Sequence, residues 1–361
     1  MRKVVIIGVG MTRFGKHLDR SLQDLGTEAI WNAIDDANIA PKDIQSAYVA
    51  NGLAPQLIDL KGTIGQHILT NAGLFEMPVV NIENACSGGS TALRGAYLEV
   101  ASGNCDLALA LGAEKLFCGN TAQSAAAMAN GTPYAKYGFM FVAQYAMNLR
   151  KFMKESAVTK EHFAKVVEKN TYNGSLNPYA QFQKPMTADE VLSSRVIAEP
   201  LTQFMCSTMA DGAAAAIVCT EEIARKYTTK PLVDIAACEL VSGAFSTHGA
   251  VDVPITTRAA RRAYEKAGIG PEDLDVIEVH DAMAPAELLL YEELGLCKKG
   301  EAGRMIDEGR TTLKGSISVN PSGGLAAKGH PVSATGLAQI GEIVWQLRGE
   351  AGARQAAEPK V

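Results

Sequence analysis

The 361-residue chain carries a net charge of −5 with 47% hydrophobic residues, which is enough to bury a substantial core in one large or two medium domains. No basic block stands out, which excludes nucleic acid and an anionic membrane surface as expected partners, and no apolar stretch is long enough to span a bilayer. Seven cysteines at irregular spacing, with no C-x-x-C pair, argue against a disulfide framework and a zinc knuckle and point to a reducing cytoplasm.

In chain order, Val4 to Ile7 is a β-branched run. Arg2-Lys3 before it faintly resembles the start of a signal peptide, but Gly8, Gly10 and Arg13 cut the apolar run short. Gly8-Val-Gly10 after that run lacks the third glycine of a dinucleotide-binding turn, because Arg13 occupies its place. Gly15-Lys16-His17 lacks the hydroxyl and the spacing of a phosphate loop and reads as a turn. Ala29 to Asp43 reads as an amphipathic helix followed by a proline-containing turn and a strand, and it aligns without a gap on Ala259 to Asp273. The match continues from Val49 on Val279 to Ala54-Pro55 on Ala284-Pro285, so the chain holds two similar halves, each one arm of a parallel α/β unit.

Three strand-to-helix turns carry the chemistry. Val79 to Leu93 sets Cys86 on a small-residue turn between a β-branched run and a helix. A cysteine at a helix start is expected to feel unpaired N–H groups and the positive helix end, which favour the thiolate. Ser87, Gly88, Gly89 and Ser90 are small enough for a substrate carbonyl to approach backbone N–H groups as an oxyanion hole. A buried free cysteine is the plainer alternative for Cys86. Val276 to Glu287 ends a β-branched run in His280-Asp281, and Ser318 to Gly336 is a strand, a glycine-rich loop holding Gly323 and Gly324, and a helix start presenting His330. Open α/β sheets gather reacting groups at the carboxyl ends of their strands, so one crevice could hold Cys86, His280 and His330.

Between the halves, 117–206 is rich in Met and aromatic residues, among them Met128, Tyr134, Tyr137, Phe139, Met140, Phe141 and Met147, and packing is the expectation for most of them. Ala210 to Cys219 then reads as an edge strand of the first sheet. Cys105, Cys118, Cys206, Cys219 and Cys238 read as small core or strand residues. The sequons at Asn130 and Asn173 are chance matches in a cytoplasmic chain, and the end Pro359-Lys-Val361 is not a peroxisomal address.

From Val4 to about Leu347 the order of motifs resembles the thiolase superfamily. The segment around Cys86 is similar to the thiolase nucleophile motif and Lys328 to Gly336 to the Gly-His-Pro motif. His280-Asp281 resembles the His-Asp mark of sterol carrier protein 2 type thiolases, particularly large subunits of two-component systems. The resemblance implies an α/β fold of two similar halves in a five-layered α-β-α-β-α sandwich with an inserted loop domain. The expected boundaries are 1–116 with 207–228 for the first half, 117–206 for a loop domain covering coenzyme A and substrate, and 229–361 for the second half.

The implied activity is acyl-CoA acyltransfer of the acetyl-CoA C-acyltransferase type, with coenzyme A and acyl-CoA as substrates rather than a permanently bound cofactor, and no metal. Cys86 would form an acyl-enzyme and His330 would accept its proton, since a histidine pKa near neutral suits that exchange. His280 with His330 would donate to a thioester enolate oxygen, and Asp281 would cap the following helix. Lys and Arg of 117–206, with Gly323 and Gly324, are the candidates for coenzyme A. A homodimer core and a small OB-fold zinc-ribbon subunit are the implied partners.

Two departures matter. The subgroup's acid/base cysteine after His-Asp is replaced by Ala282, and Cys297 is too distant in sequence to be assumed a substitute. Its loss affects least the cleavage of a branched or aryl-bearing β-ketoacyl thioester, so a degradative enzyme in lipid or acyl-CoA breakdown is expected. The family's final glycine-rich strand is also missing after Leu347, and we expect a further segment to complete that sheet. Rival readings are an aldolase-like lyase splitting a β-hydroxyacyl-CoA, disfavoured by Cys86; a synthase relative, disfavoured by Gly329-His330-Pro331; and a non-catalytic acyl-CoA-binding subunit.

Overall fold

The computed structural model describes residues 2–118, 123–124, 126–127, 137–138, 140–243 and 253–361. Met128, Tyr134, Phe139 and the Asn130 sequon lie outside them.

A six-stranded sheet organises the first half, in the order β3-β2-β4-β7-β1-β8, with β1 Val4–Met11, β2 Ser46–Ala50, β3 Val79–Ile82, β4 Leu107–Glu114, β7 Gly212–Thr220 and β8 Val233–Asp234; β5 Val196–Ala198 and β6 Leu201–Thr202 pair apart from it. Every residue of β1, β4 and β7 is buried, as expected for strands covered on both faces. β7 lies between β4 and β1, antiparallel to both, so the expectation of an edge strand at 210–219 is corrected. Its alanine-rich sequence suits a central position, because small side chains let helices approach both faces.

Alternate residues of the sheet face two layers of helix. Leu107, Leu109, Leu111, Ala215 and Ile217 pack with helix Leu22–Ala37, whereas Ala108, Ala110, Ala214, Ala216 and Val218 pack with helices Gly88–Ser102 and Thr335–Arg348. The first of these helices begins in a capping box between Ser21 and Asp24 and ends at Asn38, left-handed at φ 54°. Gly8 and Gly10 allow its close approach. A Cβ on Gly8 would lie 2.3 Å from the Ala33 carbonyl oxygen and one on Gly10 2.4 Å from that of Ala29, so these glycines serve packing rather than a nucleotide.

The second sheet, among the described residues, is a parallel pair of β9 Val276–Ile277 and β10 Ser318–Val319. The last residues run beside β9, where the Asp275 N–H donates to the Val361 carbonyl at 2.8 Å. Helices on either side of the two sheets, with Gly88–Ser102 and Thr335–Arg348 between them, make the five layers. β8, although beyond residue 228, hydrogen-bonds to β1 in the first sheet.

Helices Phe141–Glu155 and Lys160–Ser175 pack with Ala286–Glu293 and Ala302–Asp307 in a separate apolar cluster. The packing expectation fails for Met140 and Met147, both of them exposed; Tyr137 and Phe141 are also more than a third exposed. Asn173 is buried and its amide donates to the Asn320 carbonyl at 3.0 Å, which removes it as a glycan acceptor.

Candidate active site

The N-termini of two middle-layer helices bring Cys86 to His330. Cys86 sits in a single 3₁₀ turn, Ala85–Ser87, just before helix Gly88–Ser102. Ala85 has φ 43°, a backbone setting uncommon for a residue with a side chain, and it turns the chain so that Cys86 is presented at the helix entrance. Contact between the helices depends on small residues. A Cβ on Gly89 would lie 2.7 Å from the Ser333 carbonyl oxygen, and one on Gly336 2.3 Å from Ser90 Oγ. The side of Gly88 and Gly89 where a side chain would lie is therefore filled by Ser333, Ala50 and Leu337, which gives these two glycines a packing reason of their own.

Cys86 Sγ lies 3.2 Å from His330 Nε2. Nδ1 of the same ring is 2.7 Å from Thr335 Oγ1, and that hydroxyl donates to the Pro331 carbonyl at 3.0 Å. With its single hydrogen used, Thr335 can only accept from His330. Nδ1 must then carry the proton, leaving the Nε2 lone pair for the Cys86 thiol. His280 completes the set, its ring edge-on to His330 with centroids 5.0 Å apart. Among the described residues its ring nitrogens make no hydrogen bond, so one N–H is free for a ligand oxygen.

The electrostatics correct the expected thiolate. Burial, and next the negative charge of Glu114, push the Cys86 thiol up to about 11. Burial and the Lys328 cation push His280 down to about 4; burial, His280 and Lys328 hold His330 well below the usual imidazole value. The pair rests as neutral thiol and neutral imidazole. His330 thus offers a vacant lone pair, not the near-neutral titration expected from sequence, and is placed to take the thiol proton.

A buried polar shell fixes these residues, and the sequence pattern alone left it unseen. Glu114 accepts from the backbone N–H of Gly52, Leu53 and Ser333 and from Asn51, all within 3.2 Å, joining a loop of each half behind Cys86. A lone carboxylate ending the apolar run of β4 was its available signal. Lys328 pairs with Glu278 at 3.2 Å, both buried. Asp281 is corrected in role: it accepts from the Leu325 N–H at 2.8 Å and from Asn170 at 3.1 Å, so it caps helix Gly324–Lys328, not the helix following it in sequence.

Gly323 and Gly324 lie against Gly174, Asp281 and Asn170, where their positive φ of 107° and 60° and close contacts explain glycine. A cavity of about 750 Å³ opens between Lys165, Tyr172, Met186 and Lys314; none of Cys86, His280 and His330 lines it. The donor atoms of those three residues lie within 4.8 Å of one another, a set that a thiophilic metal ion could also use. No helix among the described residues is long and apolar enough to cross a membrane.

Comparison with known proteins bears on this arrangement. Residues 4–222 match the family model "Thiolase, N-terminal domain" and 243–361 match "Thiolase C-terminal domain-like". The chain is 42% identical over 98% of its length to an acetyl-CoA acetyltransferase of Methanothermobacter thermautotrophicus, covering 93% of that protein. It is 38% identical over 97% of its length to the benzoylsuccinyl-CoA thiolase subunit BbsB of Thauera aromatica, covering 90%. Among solved structures, an Ltp2-ChsH2(DUF35) aldolase superposes with a TM-score of 0.82 at 27% identity, over 97% of this chain and 91% of that one. The human mitochondrial 3-ketoacyl-CoA thiolase in complex with CoA superposes with a TM-score of 0.73 over 97% and 93%; at 20% identity it speaks to the fold alone.

Proposed function

Since the chain belongs to the thiolase family, with both family models matched in order, we propose that it is an acyl-CoA acyltransferase whose Cys86 forms an acyl-enzyme and whose direction is degradative. The observation that carries this reading is Cys86 Sγ at 3.2 Å from a His330 Nε2 that Thr335 keeps unprotonated. As Sγ attacks the β-carbonyl of a β-ketoacyl-CoA, its proton passes to His330 and negative charge moves to oxygen. The free His280 N–H is suited to the thioester oxygen of the departing enolate. Coenzyme A then takes the acyl group from Cys86, whose sulfur recovers its proton from His330.

Similarity to a benzoylsuccinyl-CoA thiolase subunit favours a branched or aryl-bearing substrate. That relative's being a subunit, together with the two-component name of the aldolase structure, favours a partner subunit; the resemblance to two-component thiolases makes a small OB-fold zinc-ribbon protein on a homodimer core the expected form. Seven free cysteines favour the cytoplasm.

Intact-mass spectrometry after mixing with acyl-CoAs of varied chain type tests the reading. A wild-type adduct absent from Cys86→Ser supports it, and the added mass identifies the acyl class. No adduct with any donor, while a β-hydroxyacyl-CoA is cleaved, establishes the aldolase-like alternative that the Ltp2 likeness favours.

A further inference from the structure

Thiolysis leaves one proton unassigned. Expelling an acyl-CoA enolate requires an acid at the α-carbon, and Ala282 carries none. Three other thiols have contacts of their own, although Cys118 packs on the same apolar cluster as Cys86. Cys206 donates to the Thr202 carbonyl and packs, like Cys297, on the apolar cluster under the loop helices. Cys118 donates to the Lys115 and Leu116 carbonyls.

Helix Phe141–Glu155 presents one inward stripe, Val142, Tyr145, Ala146, Leu149, Phe152 and Met153, spaced by three or four residues. That stripe packs on the cluster containing Val279, Met283 and Ala284, which flank Ala282 in sequence. Tyr145 is half-buried, and among the described residues its phenol makes no hydrogen bond. Cys86 and Asp281 both lie within electrostatic reach of it, and burial above all raises its pKa, which keeps the proton on the oxygen at neutral pH.

We propose that the Tyr145 phenol is the general acid and base at the substrate's α-carbon, supplying the proton function that Ala282 lacks. The inference rests on the acyl-enzyme reading above. In the first half-reaction Sγ bonds to the β-carbonyl carbon, the Cα–Cβ bond breaks, and its electron pair passes into the enolate of the leaving acyl-CoA. The Tyr145 proton then goes to Cα. The tyrosinate left behind takes the thiol proton of the incoming coenzyme A, whose sulfur attacks the Cys86 thioester, and Cys86 regains its proton from His330. Thiol, imidazole and phenol all return to their starting state.

The test is Tyr145→Phe in the full chain, with acetoacetyl-CoA plus coenzyme A for thiolysis and acetyl-CoA for acylation. Thiolysis is expected to fall on the order of a hundredfold to ten-thousandfold, and solvent deuterium should cease to enter the acetyl-CoA methyl group. The Cys86 acetyl adduct should persist, because a thiolate leaves without a strong acid. Thiolysis and deuterium uptake within threefold of wild type overturn the assignment of Tyr145 and leave the acyl-enzyme intact. A wild type that forms no adduct removes both. Should the variant fail to fold, a fluorinated tyrosine at 145 alters only phenol acidity; an unchanged rate and pH profile overturns the proposal, and a shifted pair supports it.

Discussion

The arms Leu22 to Pro55 and Ile255 to Pro285 follow one backbone plan with opposite duties. Each runs helix, left-handed cap at Asn38 or Gly268, 3₁₀ turn at Pro41–Asp43 or Pro271–Asp273, then strand. Even the turn's internal bond recurs, Asp43 accepting from the Ala40 N–H at 3.1 Å and Asp273 from that of Gly270 at 2.8 Å. The first helix buries eight residues, including Leu25, Ile30 and Ile34, whereas the second buries none. Beyond the strands, Ala50-Asn51-Gly52 knits the fold through Glu114, while the equivalent His280-Asp281-Ala282 carries a free imidazole. The same local plan therefore supports stability in one half and, on the proposed mechanism, chemistry in the other, and the neighbours each strand end meets make the difference.

Breaking the chemical arm should give the largest effect. His280→Ala is expected to lower thiolysis by about a hundredfold or more with little change in thermal midpoint, read from steady-state kinetics beside a melting curve. In the structural arm Ile30→Ala should cost about 2–5 kcal/mol in denaturant unfolding. Its counterpart in the other arm, Ala260, is half-exposed, and the phenol of Tyr264 donates to the Leu294 carbonyl at 3.0 Å, so Tyr264→Phe should cost only about 1 kcal/mol. Comparable costs in both arms would sink the contrast.

At the seam between the halves, Gly89→Ala drives a methyl into the Ser333 carbonyl and is expected to cost about 1–3 kcal/mol and to slow acylation, since the same contact sets the Cys86 to His330 spacing. Thr335→Val frees the other tautomer of His330 and should slow acylation about tenfold, the kinetic equivalent of one hydrogen bond.

The pH profile gives the smallest signal. His280, pushed down to about 4, and His330, also lowered, stay neutral through the ordinary imidazole range, and Cys86 is raised to about 11. Acylation should therefore be flat across neutral pH, with no inflection near 6.5. Both histidines bind protons more weakly folded than unfolded, so their contribution to stability is full above about pH 6.5 and declines as pH falls toward the folded values. An acid limb centred near 6.5 in stopped-flow acylation would show that the site is less desolvated than its geometry implies.

Much of this was legible in the chain. The gapless alignment of Ala29 to Asp43 on Ala259 to Asp273 disclosed the two halves, because proline, glycine and aspartate at fixed offsets encode the turn locally. Cys86, His280 and His330 stood out because each follows a β-branched run and opens a helix. Pairing was not legible: β7 became central, and Gly88 and Gly89 proved to be packing residues, since both facts depend on segments more than a hundred residues away.

Local sequence by itself determined where the turns between helices and strands fall and which strand ends carry Cys86, His280 and His330. Only the tertiary structure decided the protonation states and roles. Burial raises the Cys86 thiol and lowers both imidazoles, Thr335 selects the tautomer of His330, and Asp281 caps a helix more than forty residues beyond it. Desolvation and long-range hydrogen bonds depend on which distant groups exclude water from one another, and no window of sequence contains that information.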